Sequence, residues 1–297
     1  MERDTIITTS ENTMIKRISA VSILGNTLLS AIKLFAGIFA HSRAMVSDAI
    51  HSMSDVFTTL IAVIGVRISK KSADKSHPYG HERFECVASL LLGLLLLITG
   101  LGIGYSGVLT IAAGHYDTLA VPGALALAAA IISIITKEAM FHYTRHYAKI
   151  LNSSAFMADA WHHRSDALSS IGSLIGIAGA MLGFPVLDPA ASVVICIFIL
   201  KVGGEIIADA LRKMLDTPCS EAYEKEVSDL ITSYDGVTHL DLLHTRMFGD
   251  KVYIDCEIAV DGDLPLRDAH AIAERIHDGV ERKYDNVKHI MIHVNPA

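Results

Sequence analysis

The sequence predicts a membrane protein in two parts. The first is an all-α domain of six transmembrane helices, built as two inverted three-helix repeats. The second is a small C-terminal α+β domain of order α-β-β-α-β. Three observations carry this. The 297-residue chain is 51% hydrophobic and only 19% charged, whereas a soluble domain carries about a quarter charged residues. Six apolar stretches match the roughly 20 residues needed to cross a hydrocarbon core about 30 Å thick. One pattern rich in ionisable groups occurs twice, in the second and fifth of these stretches.

The same composition excludes other classes. The chain is too apolar for a cytosolic enzyme, for a disordered chain or for collagen, and a net charge of -7 argues against nucleic acid as partner. Cys86, Cys196, Cys219 and Cys256 are widely spaced with no CxxC, so they signal neither a disulfide framework nor a zinc ribbon. Residues 1–13 are polar and include acids, so they read as a cytoplasmic N-terminal tail rather than a signal peptide.

The six expected spans are residues 14–39, 43–66, 84–112, 119–141, 154–182 and 188–210, within a membrane domain of 14–211. The third is the cleanest, nearly all leucine from Leu90 to Leu97. The sixth reads as the weakest, because Lys201 and Glu205 sit late in it. They can pair four residues apart or snorkel, and its inner half is expected to leave the membrane. With the N-terminus inside, the cytoplasmic side collects Arg3, Lys16, Arg17, Arg67, Lys70, Lys71, Lys75, Arg83, Lys137, Arg145 and Lys149, and the outer loops hold only Arg43. That bias puts both chain ends in the cytoplasm.

The last 85 residues change character, with 17 acids against nine Lys and Arg. A helix is expected over 220–234, closed by Asp235-Gly236. Two strands follow, 238–247 and 251–260, joined at Gly249-Asp250. Pro265 opens a second helix running to Lys283, and a last strand covers 287–294. This open-faced sandwich, residues 212–297, is small for independent stability, so dimerisation would help it.

The repeated pattern is Asp48-Ala-Ile-His51-Ser-Met-Ser54-Asp55 in span two and Asp159-Ala-Trp-His162-His163-Arg-Ser165-Asp166 in span five. An offset of one three-helix repeat makes these two spans antiparallel, as in inverted-repeat transporters. His51 and Asp55 lie four apart on one helical face, as do His162 and Asp166. Two imidazoles and two carboxylates supply the four ligands of tetrahedral zinc, and the carboxylates neutralise one divalent charge. Calcium or magnesium would call for more oxygen. The bland reading, polar helix contacts or groups beyond the membrane edge, is hard to hold for two copies at the same relative place. Asp48 and Asp159 lie one turn away and read equally as attractors of the ion or as caps for neighbouring helices. Lys33, buried in span one, either snorkels or pairs with an intramembrane acid.

These features resemble the cation diffusion facilitator family of metal-ion/proton antiporters. The likeness runs from about Met14 to Pro296. It rests on both Asp-Ala-x-His-x-x-Ser-Asp motifs, on His77-Pro-Tyr-Gly-His81, and on the tail with Leu264-Pro-Leu-Arg-Asp-Ala-His270. The resemblance implies a ferredoxin-like, metallochaperone-type tail, a homodimer, and a zinc-preferring transport site at His51, Asp55, His162 and Asp166. It also implies alternating access that exchanges a cytoplasmic divalent ion for protons, with the histidines as proton carriers. A prokaryotic cytoplasmic (inner) membrane fits the short loop between spans four and five.

Family members carry a loop metal site at positions matching Asp74, His77 and His81. The alternative there is a polar loop with incidental histidines. A basic residue at Arg83 would pair with Asp216 at the dimer hinge. Asp241, Glu257, His270 and His293 match a tail metal site, with Cys256 as a helper. This chain departs from the His-rich version at Glu257 and Asn295, so a full two-metal site there is in doubt. An intramembrane hydrolase is disfavoured, because four protein ligands leave no position for a catalytic water. The expectation is therefore no enzyme. A non-transporting metal sensor or scaffold, or a transporter of Cd2+, Co2+, Fe2+ or Mn2+, remains the alternative to Zn2+.

Overall fold

The computed structural model describes residues 2–39, 43–114, 124–181, 184 and 186–297. The chain divides into two compact units, residues 1–70 with 87–210, and residues 71–86 with 211–297.

Six long helices make up the first unit, α3 beginning and α6 ending within the second: α1 (Glu2–Phe39), α2 (Arg43–Ser69), α3 (Arg83–Ala113), α4 (Ala124–Ile150), α5 (Ser154–Met181) and α6 (Leu187–Met214). Residues 2–13, expected as a polar tail, continue α1 as helix. Among the described residues, four helices are long and apolar enough to cross a membrane: α1, α2, α3 and α6. The sixth span is thus not the weakest. Lys201 and Glu205 lie exposed with their charged groups 4.0 Å apart, and the helix continues unbroken to Met214. Helices α4 and α5 carry the inward-facing charges described below. Outward faces present Leu24, Leu28, Phe35, Phe57, Ile98 and Ile197, an apolar surface suited to lipid.

Helix α1 packs on α2 and α4, and α5 packs on α4 and α2. Around Ile18, Val66 and Phe156 these helices, with Leu92 of α3, bury an apolar cluster. Helices α3 and α6 approach through glycines. A Cβ at Gly100 would lie 2.8 Å from Ile199 Cγ2, and one at Gly93 2.8 Å from Ile207 Cγ1. Without a hydrophobic drive between helices in lipid, close backbone approach is what gives such a pair its cohesion.

The second unit is the α+β domain, with α7 (Glu221–Thr232), β1 (His239–Phe248), β2 (Lys251–Val260), α8 (Leu266–Lys283) and β3 (Val287–Pro296). Ser220 caps α7 by accepting a hydrogen bond from the Tyr223 amide, and Glu221 and Glu224 lie in its first turn. The sheet order is β1-β2-β3, antiparallel then parallel. The hairpin turns at Gly249, whose φ of +67° suits glycine. The parallel step requires a crossover, supplied by α8. Central β2 is buried along most of its length, and Val227, Ile231, Ile272, Ile276 and Val280 close over it.

Residues 71–86 belong to this unit. Lys288 pairs with Glu82 and donates to the Tyr79 carbonyl at 2.7 Å, and Tyr253 Oη donates to the same carbonyl at 3.3 Å. The fully buried Ile276 gives a test of the core. Ile276→Ala is expected to cost about 2–5 kcal/mol, read as faster amide exchange throughout α7, α8 and the sheet of the full-length protein. Loss of protection confined to α8 would contradict a single shared core.

Candidate metal centre

The two repeated motifs meet. His51 Nε2 lies 4.0 Å from Asp166 Oδ1, His162 Nε2 lies 3.4 Å from Asp55 Oδ1, and Thr59 donates to Asp159 at 3.1 Å. As numbers rise along α2 they fall along α5, which is the antiparallel crossing expected from the repeat. His51, Asp55 and Asp166 offer three ligand atoms within 4.8 Å of one another. His162 flanks this group, 4.0 Å from Asp166 Oδ2. Asp55 is 2% exposed and His162 4%, while the side chain of His51 is 54% exposed. The centre is therefore closed by α5 and open beside His51.

A fifth group completes it. Lys137 of α4, 1% exposed, donates to Asp55 Oδ2 at 2.6 Å and to Asp166 Oδ2 at 2.7 Å. The loop assignment of Lys137 is therefore corrected, since it is buried at the centre. A signal was available: Lys137 follows the apolar run Ile131–Thr136, and an ionisable residue inside a span is a functional suspect. The arrangement also has a clear charge logic. An isolated buried pair of carboxylates is costly, and one ammonium between them leaves a formal charge of minus one, with the imidazoles neutral. A divalent ion in place of the ammonium would leave zero.

Other intramembrane polar groups are held apart from the centre. Asp159 is fully buried and accepts from Thr59. His163 is fully buried, with Nε2 3.3 Å from Ser22 Oγ and 3.6 Å from Asp159 Oδ2. Lys33 is 4% exposed and donates to Ser52 Oγ at 2.9 Å, so it does not snorkel. The side chain of Asp48 lies outside the described residues.

The loop residues Asp74, His77 and His81 also converge, with ligand atoms within 4.8 Å. His81 Nε2 lies 3.4 Å from Asp74 Oδ2, and the two imidazole centroids are 4.5 Å apart. His81 Nδ1 faces the Lys71 carbonyl at 3.2 Å, which keeps its proton there and leaves Nε2 free to ligate. Gly80, at φ +99°, lets the loop turn between the histidines. The Lys71 ammonium, donating at 2.7 Å, holds the Asp74 carboxyl well below the usual carboxylate range, helped by Ser76 and the His77 amide.

Arg83 pairs with Asp216, and its guanidinium lies 4.7 Å from the Phe248 ring centroid. Asp216 takes a φ of +53°, unusual for a residue other than glycine. In the tail, Asn295 Nδ2 donates to Asp241 at 2.9 Å and to Glu257 at 3.2 Å, so an amide sits between the two acids. Glu257 and His293 are register partners on β2 and β3, and both His270 and His293 are exposed. Asp241, Glu257, His270 and His293 do not form one three-ligand cluster among the described residues. Cys256 is buried in the core, and burial pushes its thiol up to about 12, so it packs as a thiol rather than offering a thiolate.

The chain matches the model of the cation efflux transmembrane domain over residues 19–215, and that of the cation efflux protein cytoplasmic domain over residues 219–297. It is 34% identical over 261 residues to the magnetosome protein MamB of Magnetospira sp. (strain QH-2), covering 88% of each chain. It is 33% identical over 275 residues to an uncharacterized transporter of Methanocaldococcus jannaschii, covering 93% of this chain and 96% of that one. It is 29% identical over 288 residues to the manganese efflux system protein MneP of Bacillus subtilis, covering 95% and 96%.

The depressed Asp74 carboxyl yields a pH test. A carboxylate held this low keeps its charge throughout mild acid and loses it only below the usual range. Asp74→Asn should weaken zinc binding at the loop by about tenfold or more, and by the same factor at pH 5.5 and pH 7.5. The measurement is zinc titration of full-length protein carrying Asp55→Ala. A deficit present at pH 7.5 and gone at pH 5.5 would contradict it.

Proposed function

The chain belongs to the cation efflux family of membrane metal transporters, and from that premise we propose that it is a Zn2+/H+ antiporter. It exports zinc from the cytoplasm by alternating access, as a homodimer with both termini in the cytoplasm. Removing Lys137 from the inner-loop charges leaves their excess over Arg43 intact. The observation that carries the reading is the buried meeting of Asp55 and Asp166, one from each inverted repeat, with His51 and His162 beside them.

In this reading the ion takes the place that the Lys137 ammonium holds between the carboxylates, and Lys137 withdraws as the imidazoles close on the metal. Four ligands of this kind suit zinc. An imidazole must be neutral to ligate, so proton entry from outside at His51 and His162 favours release, and metal entry from the cytoplasm releases protons. The loop site of Asp74, His77 and His81 takes up metal on the cytoplasmic side. The Arg83–Asp216 pair holds the hinge of the dimer. Asp241, Glu257, His270 and His293 act as a weaker regulatory set completed across the two tails.

A second reading keeps the transport cycle and changes the cargo to manganese. It is favoured by the name of the Bacillus subtilis relative. Two imidazoles argue for zinc instead, since manganese prefers oxygen ligands.

The test is zinc uptake into proteoliposomes under an imposed pH gradient, with cadmium and manganese as competitors. Wild type is expected to follow the gradient. Asp55→Ala is expected to be folded and inactive, because Lys137 keeps Asp166 as partner. His293→Ala should lower only the activation by metal. Equal loss of transport in both variants would contradict the division between transport site and regulatory tail. Zinc that binds but never moves would favour a sensor.

A further inference from the structure

The tail holds a third cluster, in which His277, Glu281 and His289 place three ligand atoms within 4.8 Å of one another. From this we infer a metal-binding site for a borderline divalent ion (Zn2+, Co2+, Ni2+ or Fe2+) joining α8 to β3 within one protomer. It is separate from the loop residues and from Asp241, Glu257, His270 and His293.

The site is built by the fold. His277 and Glu281 lie four apart on α8 and so share a helical face. The chain then turns back, and His289, near the start of β3, comes up against the last turns of the helix. Glu281 Oε1 lies 3.2 Å from His277 Nε2 and 3.3 Å from His289 Nδ1, and the two ring centroids are 5.3 Å apart.

Two details point to an ion rather than to internal pairing. First, His277 Nδ1 faces the Ile290 carbonyl at 3.1 Å. A carbonyl can only accept, so the proton resides on Nδ1 and the lone pair of a neutral ring is left on Nε2, toward Glu281. This is the second-shell arrangement that orients metal-binding histidines. Second, Glu281 Oε1 is buried and accepts no hydrogen bond despite its two imidazole neighbours. A buried acceptor without a donor is left with its desolvation cost unrepaid. An ion held by all three ligands removes that cost without requiring two adjacent imidazoliums.

Two nitrogens and one carboxylate oxygen suit the borderline divalent ions and not calcium or magnesium. Three protein ligands leave room for water. One carboxylate leaves a net positive centre, which the acidic tail favours, with 17 acids against nine Lys and Arg. Along β3, His289 and His293 are four residues apart, about 13 Å at 3.3 Å per residue. One ion therefore cannot serve both.

The test uses full-length protein in detergent with zinc as probe. Ions retained per chain are counted after dialysis, and amide exchange is followed with and without zinc. Wild type is expected to gain protection in the last turns of α8 and the first residues of β3. Glu281→Gln, which keeps the shape, and the double variant His277→Ala/His289→Ala are each expected to retain one ion fewer and to lose that gain. Transport by Glu281→Gln at saturating zinc should be unchanged, which separates this site from the membrane centre. An unchanged ion count in both variants would overturn the inference and leave an imidazole–carboxylate contact only. So would zinc-dependent protection that survives Glu281→Gln.

Discussion

Three charged side chains, Asp55, Asp166 and Lys137, share one buried point in the membrane domain, and the remaining helices are arranged around that fact. Each group alone would cost several kcal/mol in hydrocarbon. Together the ammonium bridges two carboxylates at 2.6 and 2.7 Å, and removing one member of such a set typically costs about 3–5 kcal/mol. The set can form only if α2, α4 and α5 converge.

The arrangement also connects stability to function. A site prepared for a divalent ion carries two negative groups that repel when the ion is absent. Lys137 meets that difficulty from within the chain, holding the carboxylates together at a charge one unit short of neutral. In the proposed cycle, loading is an exchange of cations at fixed ligands rather than the filling of an exposed anionic hole. That cycle would also discriminate: a cation must offer the carboxylates more than an ammonium already does, which favours a divalent ion with affinity for imidazole.

Much of this could be read from residues alone. The antiparallel meeting of His51 with Asp166 and of Asp55 with His162 follows from two copies of one motif separated by an odd number of helices. The tail elements fall within about two residues of expectation, because Gly249, Gly236 and Pro265 punctuate a clean change of hydrophobic period. Other features were not legible. Lys137 has no copy in the other repeat, so the symmetry that revealed the aspartates gave no hint of it. The strength of α6 is obscured by Lys201 and Glu205, although the mean hydropathy of its apolar stretch is 2.2. The His277–Glu281–His289 cluster joins a helix to a strand across a turn, and periodicity within one element does not register such a meeting.

The central claim is that the ion and the Lys137 ammonium compete for the same two carboxylates. Its most direct test is zinc affinity at pH 8 for full-length wild type and Lys137→Met, each verified as folded and monodisperse. With the internal competitor removed, the account predicts that the membrane site binds zinc at least about tenfold more tightly, a gain of about 1.4 kcal/mol. Binding that is unchanged or weaker in Lys137→Met would contradict it and make the lysine a prop of the helix bundle.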